Sequence, residues 1–292
     1  MKLLIIGASG VLGSKLCNDA IKKKWNVMGT YCSHKREGLF YLDVRDRSSM
    51  EKVFNFFKPE AVVMAGGITD VDLSTLKPKL AKDVNVKGTL NLVNKIKEYG
   101  AKLAYISTDY VFDGESGPYK EDDKTNPINT YGMTKLEAEH IVMAKLRDYL
   151  VVRTSQLYGV DHIGRNFIVK IIRNMNSDKK IYAADDFYST PTYAGLLSEM
   201  IIKLIEKNSK GLYHGAGPEF INRYDYVNKI ADIFGFDKNL IQKVKLKDLK
   251  LKAVRPPKGG LKIEKIKKEK IIELYDCYTG LVLLKKEMGH ES

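Results

Sequence analysis

Cysteine is scarce, with three in 292 residues. Cys17, Cys32 and Cys277 are too few and too scattered for a disulfide framework or a zinc site. Long apolar runs are missing as well, none approaching the roughly 20 residues of a membrane span. Met1 leads straight into a short apolar strand without a signal-peptide pattern, so the expected setting is a reducing cytoplasm. Internal repeats and low-complexity tracts are also absent, which excludes a repeat array.

Positive charge is abundant. The formal net charge is +13, and basic residues are densest between Lys243 and Lys270. Those lysines alternate with Leu, Ile, Val and Glu, as on the wet face of helices and strands, and no aromatic platform or nucleic-acid motif accompanies them. Nucleic acid is therefore not the expected partner. A basic cleft suits a phosphate-bearing small molecule, and Lys-rich surfaces also occur in heat-adapted proteins. With 44% hydrophobic and 29% charged residues the composition is ordinary, so length sets the expectation: one nucleotide-binding domain plus a smaller lobe.

Lys2 to Ile6 (KLLII) is an apolar strand feeding GASGVLG, in which Gly7, Gly10 and Gly13 have G-x-x-G-x-x-G spacing before a helical stretch. Glycines at such a turn let the backbone approach a pyrophosphate, with Ser9, Val11 and Leu12 around it. A tight turn without a ligand is the plainer reading. The second strand, Val27 to Tyr31, runs into Ser33, His34, Lys35 and Arg36. An acid there would meet a free ribose 2′-hydroxyl, whereas basic and hydroxyl groups suit a 2′-phosphate, so NADP(H) is expected over NAD(H). The alternative is a solvated basic loop.

Leu39 to Leu42 reads as a third strand ending at Asp43, and Ala61 to Met64 as a fourth running into Ala65, Gly66 and Gly67. Those glycines either approach a ligand or simply turn. Met50 to Phe57 and Leu76 to Tyr99 read as helices, Lys102 to Ile106 and Leu150 to Arg153 as further strands. The expected fold is α/β: a doubly wound parallel sheet (Rossmann) over residues 1–153, to which 192–215 returns, and a discontinuous substrate lobe from 154–191 and 216–292. Beyond Arg153, helices are expected over Asn166 to Met175, Tyr193 to Lys207, Tyr224 to Phe234 and Ile263 to Leu274. Short strands are expected at Lys180 to Ala183 and Gly211 to His214.

The stretch from Ser107 to Lys135 carries the chemistry. The strand before it stops at hydroxyl and acidic residues, at the end where open α/β sheets bind ligands. From Tyr131 to Arg147 apolar positions recur at helical spacing, so Tyr131 and Lys135 share one helix face. A phenol with a reference pKa of about 10 is a poor proton donor at neutral pH, but an ammonium beside it lowers that value. With Thr108 at the strand end to hydrogen-bond a carbonyl, the three suit proton transfer at a carbonyl. Spacing alone is weak, since 17 tyrosines in so Lys-rich a chain give about two Tyr-x-x-x-Lys matches by chance. The other copy, Tyr31 and Lys35, lacks apolar periodicity and reads as a loop accident.

With these residues placed, the chain resembles the extended short-chain dehydrogenase/reductases, and within them the dTDP-4-dehydrorhamnose reductase group. The resemblance rests on STDYVFDG from Ser107, NTYGMTKLEAE from Asn129, VVRTSQLYG from Val151, STPTYAG from Ser189 and RPPKGGL from Arg255. It implies NADPH-dependent reduction of a 4-keto group on a nucleotide-linked 6-deoxyhexose. Tyr131 would be the proton donor, Lys135 would hold the nicotinamide ribose and lower the pKa of Tyr131, and Thr108 would bond the substrate oxygen.

Asn85 matches a family asparagine that supports the active site, or is an ordinary helix polar residue; Asp43 and Val44 match positions around the adenine. Asp109, Gln156, Asn166 and Arg255 fall on the substrate side, the last two toward a diphosphate. Gln156 stands where the group often has Trp, and Ser74 and Thr75 stand where many relatives carry Cys-Glu. Lys15 replaces a Glu that binds magnesium at a dimer interface in some relatives, so no metal is expected; a homodimer stays open. The regulatory beta subunit of methionine adenosyltransferase is similar to the same group and acts by binding a partner enzyme. That alternative, and an epimerase or dehydratase activity, stay open.

Overall fold

In the computed structural model, which describes residues 1–289, strand β1 (Lys2–Ile6) is buried from Leu3 onward. Leu3 and Ile5 pack on one side with helix α1 (Val11–Lys22), Leu4 and Ile6 on the other. A strand between two helical layers has no wet face, which explains a continuous apolar run in place of alternation. Each fully buried Leu or Ile there contributes about 1.5–3 kcal/mol.

The chain continues through β2 (Asn26–Tyr31), β3 (Phe40–Tyr41), α2 (Arg47–Phe57), β4 (Ala61–Met64), α3 (Val71–Leu76), α4 (Pro78–Lys82) and α5 (Gly88–Tyr99). It then forms β5 (Lys102–Thr108), α6 (Thr130–Lys145) and β6 (Tyr149–Thr154). All pairings in this sheet are parallel, and its seven strands stand in the order Gly211–His214, β6, β5, β4, β1, β2, β3. Strand order runs outward in both directions from β1, so a crevice opens at the carboxyl ends of β1 and β4. Two expectations change here. The helix over 76–99 is divided, because Pro78 starts a new helix and Asp83–Lys87 is a π-helical turn that carries Asn85. The third strand shortens to Phe40 and Tyr41, exposed at the sheet edge.

Beyond β6, short strands form three two-stranded sheets. β7 (Leu157–Tyr158) pairs with β10 (Thr192–Tyr193), β8 (Ile181–Ala184) with β13 (Ile241–Val244), and β9 (Tyr188–Ser189) with β12 (Ile221–Asn222). Helices α7 (Phe167–Met175) and α9 (Arg223–Phe234) pack with them, α8 (Ala194–Glu206) lies against α1, and β11 (Gly211–His214) joins the central sheet beside β6. The helix expected over 263–274 is reduced to α10 (Glu264–Lys268), and Lys270 just beyond it has a left-handed φ of 48°. An unanticipated helix, α11 (Cys277–Glu287), starts at Asp276, whose carboxylate accepts from the Thr279 N–H. It mixes buried Leu281 and Leu284 with exposed Val282 and Leu283, which blurs the helical period. No helix among the described residues is long and apolar enough to cross a membrane.

Candidate active site

The turn after β1 is built by glycines with different duties. Gly7 has φ +87°, and a Cβ there would lie 2.5 Å from the Cα of Gly66 after β4. A Cβ on Gly13 would lie 2.2 Å from the Gly7 carbonyl oxygen. These two glycines allow β1, α1 and β4 to touch. Gly10 instead caps α1 with no side-chain bond, and no acidic residue occupies the first turn. The first N–H groups of α1 therefore have no capping oxygen, and the positive helix end beside Ser9 is an arrangement that binds phosphate. Val11 is half-buried, while the Leu12 side chain is in the core.

At the end of β2 the Ser33 hydroxyl and His34 Nδ1 are 2.9 Å apart. Among the described residues, His34, Lys35 and Arg36 have no carboxylate within ion-pair distance. The nearby acid, Asp43, is held by Arg45, whose Nε donates at 3.0 Å and Nη2 at 2.6 Å. Those hydrogen bonds keep the Asp43 carboxyl below the usual carboxylate range, and it forms a neutral pair with Arg45. Val44 is buried against Gly88, where a Cβ would meet its Cγ2 at 2.5 Å.

Ala65 donates its N–H to the Ile6 carbonyl at 3.0 Å, and Gly67 lies against Asn85. The Asn85 amide accepts from the Ile68 N–H at 2.8 Å and donates to the Ile68 carbonyl at 3.0 Å and the Thr134 hydroxyl at 3.1 Å. It clamps the loop after β4 to α6 and acts as a positioning residue.

Thr108, Tyr131 and Lys135 are all buried around the end of β5. Asn129 starts α6 by accepting from the Gly132 N–H at 2.9 Å and donates to the Val254 carbonyl at 3.0 Å. Gly132 brings the helix against the strand end, since a Cβ there would lie 2.0 Å from the Tyr110 carbonyl oxygen. The rings of Tyr110 and Tyr131 pack edge-on at 5.8 Å. Burial pushes the Tyr131 hydroxyl pKa up, opposed in part by a hydrogen bond with Thr108.

Lys135 is held from the strand side. Its ammonium donates to the Ile106 carbonyl at 2.7 Å and sits 4.1 Å above the Tyr105 ring. Burial lowers its pKa to about 7, with Glu139 opposing.

Asp109 and the other substrate-side residues divide by their internal partners. The Asp109 carboxylate accepts from the Ser155 hydroxyl at 2.6 Å, the Gly260 N–H at 3.1 Å and the Thr108 hydroxyl at 3.2 Å, which makes it a brace for Thr108. Asn166 caps α7 through the Ile168 N–H at 3.2 Å and donates to the Leu157 carbonyl at 3.0 Å. Arg255 pairs with Asp72 at 2.9 Å and donates to the Ala253 carbonyl at 3.0 Å. Gln156 accepts from Arg223 at 2.5 Å. Sequence reasoning missed Arg223 and Arg45, which no motif marks. Lys15, at the expected metal-free position, bonds Glu287 at 2.5 Å and lies 3.7 Å from Asp19.

A profile of the RmlD substrate binding domain matches residues 1–288. Methionine adenosyltransferase 2 subunit beta of Xenopus tropicalis is 31% identical over 240 residues, 80% of this chain and 72% of its own. The dTDP-4-dehydrorhamnose reductase of Aggregatibacter actinomycetemcomitans is 30% identical over 251 residues, 83% of this chain and 81% of its own. The solved dTDP-4-dehydrorhamnose reductase of Bacillus anthracis, in complex with NADP, superposes with a TM-score of 0.89 at 28% identity over 98% of this chain and 99% of that one. A seven-stranded parallel sheet, a glycine turn at β1 and a full-length match agree: the chain belongs to the RmlD substrate-binding domain family of extended short-chain dehydrogenase/reductases.

Proposed function

We propose that the chain is a cytoplasmic NADPH-dependent reductase of a 4-keto group on a nucleotide-linked 6-deoxyhexose, with dTDP-4-dehydrorhamnose the first substrate to try. The observation that carries this reading is the buried Tyr131 hydroxyl beside Thr108 at the carboxyl end of β5. A buried phenol holds its proton at neutral pH and releases it to a much stronger base, such as the alkoxide that develops when a carbonyl is reduced. The Thr108 hydroxyl donates to Asp109 here and would turn that proton to the carbonyl oxygen when substrate enters.

NADPH supplies the hydride when bound. The bare α1 N-terminus at Gly10 would take its pyrophosphate, and Ser33, His34, Lys35 and Arg36 its 2′-phosphate. Lys135, one helical turn from Tyr131, would bond the nicotinamide ribose. Residues 1–153 with 192–215 would form the cofactor domain, and 154–191 with 216–292 the substrate lobe.

The test is consumption of NADPH with dTDP-4-keto-6-deoxyhexose, followed at the nicotinamide absorbance. A second reading draws on the 31% identity to the frog beta subunit: a nucleotide-binding subunit of another enzyme. Tight NADPH binding without turnover of any keto-sugar, together with stoichiometric capture of a methionine adenosyltransferase from native extract, would favour it.

A further inference from the structure

Arg223 opens α9 with a guanidinium that has no counterion: among the described residues, no carboxylate lies within ion-pair distance. Its guanidinium carbon lies 4.0 Å from the ring centre of Phe167 and 4.9 Å from that of Phe187. One side-chain bond is made, from Nη2 to Gln156 Oε1 at 2.5 Å. A guanidinium carries five N–H donors, so most of this one's capacity is unused in a half-buried cleft. Arg255 repels it nearby, although Arg255 has Asp72 as its own partner.

Gln156 is a second, independent sign. Its φ of 43° is left-handed, which costs a non-glycine residue about 1–2 kcal/mol and persists where the surroundings impose it, often at ligand clamps. The Thr192 N–H donates to its carbonyl at 3.2 Å. The strained backbone thus aims the side-chain amide at Arg223.

Both residues adjoin the reacting centre. Gln156 follows Ser155, which bonds Asp109 next to Thr108, and Tyr110, whose ring packs edge-on against Tyr131, is close enough to Arg223 for the two to interact electrostatically. Resting on the reductase reading above, we propose that Arg223, oriented by Gln156, binds an oxyanion of the substrate, a phosphate or carboxylate group, close to the carbonyl that Tyr131 serves. Two oxygens of such a group fit the fork of a guanidinium. The rings of Phe167 and Phe187 lie against that guanidinium and lower the local dielectric, which strengthens the pairing. Asn166 and Arg255 are already engaged inside the fold, whereas Arg223 lacks a carboxylate partner among the described residues.

The test is calorimetric titration of the full-length, NADP⁺-loaded chain with dTDP, D-glucuronate and thymidine, for the unmodified protein, Arg223→Gln and Arg223→Lys. Arg223→Gln should weaken the better-bound anion about tenfold to a hundredfold. Arg223→Lys should recover part of that, and thymidine and NADP⁺ affinities should hold, which shows an intact fold. Loss confined to dTDP assigns a phosphate; loss confined to glucuronate assigns a carboxylate. Anion binding that is absent from the unmodified protein, or indifferent to Arg223, overturns the proposal. Failure of the reductase reading is distinct: no keto-sugar turnover, with Arg223-dependent anion binding intact.

Discussion

The ammonium of Lys135 bonds the carbonyl oxygen of Ile106 at 2.7 Å, one helical turn from Tyr131 and without a bond to its hydroxyl. Burial acts on the two groups in opposite senses, pushing the phenol up and bringing the ammonium down to about 7. The acid of the site therefore keeps its proton at neutral pH, and its lysine gives up its proton far more readily than an exposed one.

Tyr131→Phe removes the proton donor and little else. Turnover on a keto-sugar should fall about a hundredfold to ten-thousandfold, with NADPH affinity by fluorescence unchanged. Near-normal turnover would remove Tyr131 from the mechanism.

Lys135 predicts a pH dependence of stability. Unfolded, it titrates near its ordinary 10.5; folded, near 7. Between these values the folded chain binds fewer protons than the unfolded one, so this group makes stability rise with pH from about 7 to about 10.5. Urea midpoints at pH 7 and 9.5 should show a rise in the unmodified protein that is smaller in Lys135→Met. Equal pH profiles would mean that the ammonium is not desolvated.

The basic loop after β2 predicts cofactor choice. Replacing Lys35 and Arg36 together by Ala should weaken NADPH much more than NADH, because the lost charges face a 2′-phosphate that NADH lacks. Equal affinity of the unmodified protein for both, by calorimetry, would contradict the assignment.

The first half of the fold was legible because a doubly wound sheet writes itself as apolar runs punctuated by glycine, as in KLLII before Gly7. Thr108, Tyr131 and Lys135 were legible because one strand, one loop and one helix carry them in order. Side-chain direction was not: the spacing put Lys135 on the face of Tyr131, but the long side chain runs down to Ile106. Asn166 and Arg255 show the same gap, since a sequence displays a polar group and conceals the internal partner that occupies it. Arg223 reaches Gln156 only through the packing of α9 against α7 and β8, contacts that no local pattern encodes.

Gly132 predicts a steric coupling between fold and catalysis. An alanine Cβ would lie 2.0 Å from the backbone oxygen of Tyr110, so either α6 or the strand end must shift. Gly132→Ala should destabilise by about 1–3 kcal/mol and lower turnover further than unfolding at the assay temperature explains. Denaturant midpoints and turnover at one temperature separate the two effects, and an unchanged midpoint would show that the contact is slack.

The proposed reaction is hydride transfer to a sugar carbonyl held at Thr108 and Tyr131. The most direct measurement offers dTDP-4-keto-6-deoxyhexose with NADPH deuterated at the transferring carbon and weighs the sugar product. The expected product is a 6-deoxyhexose carrying one deuterium at C4, formed by the unmodified chain and strongly reduced with Tyr131→Phe. Bound NADPH with no deuterium transferred to any keto-sugar would contradict it.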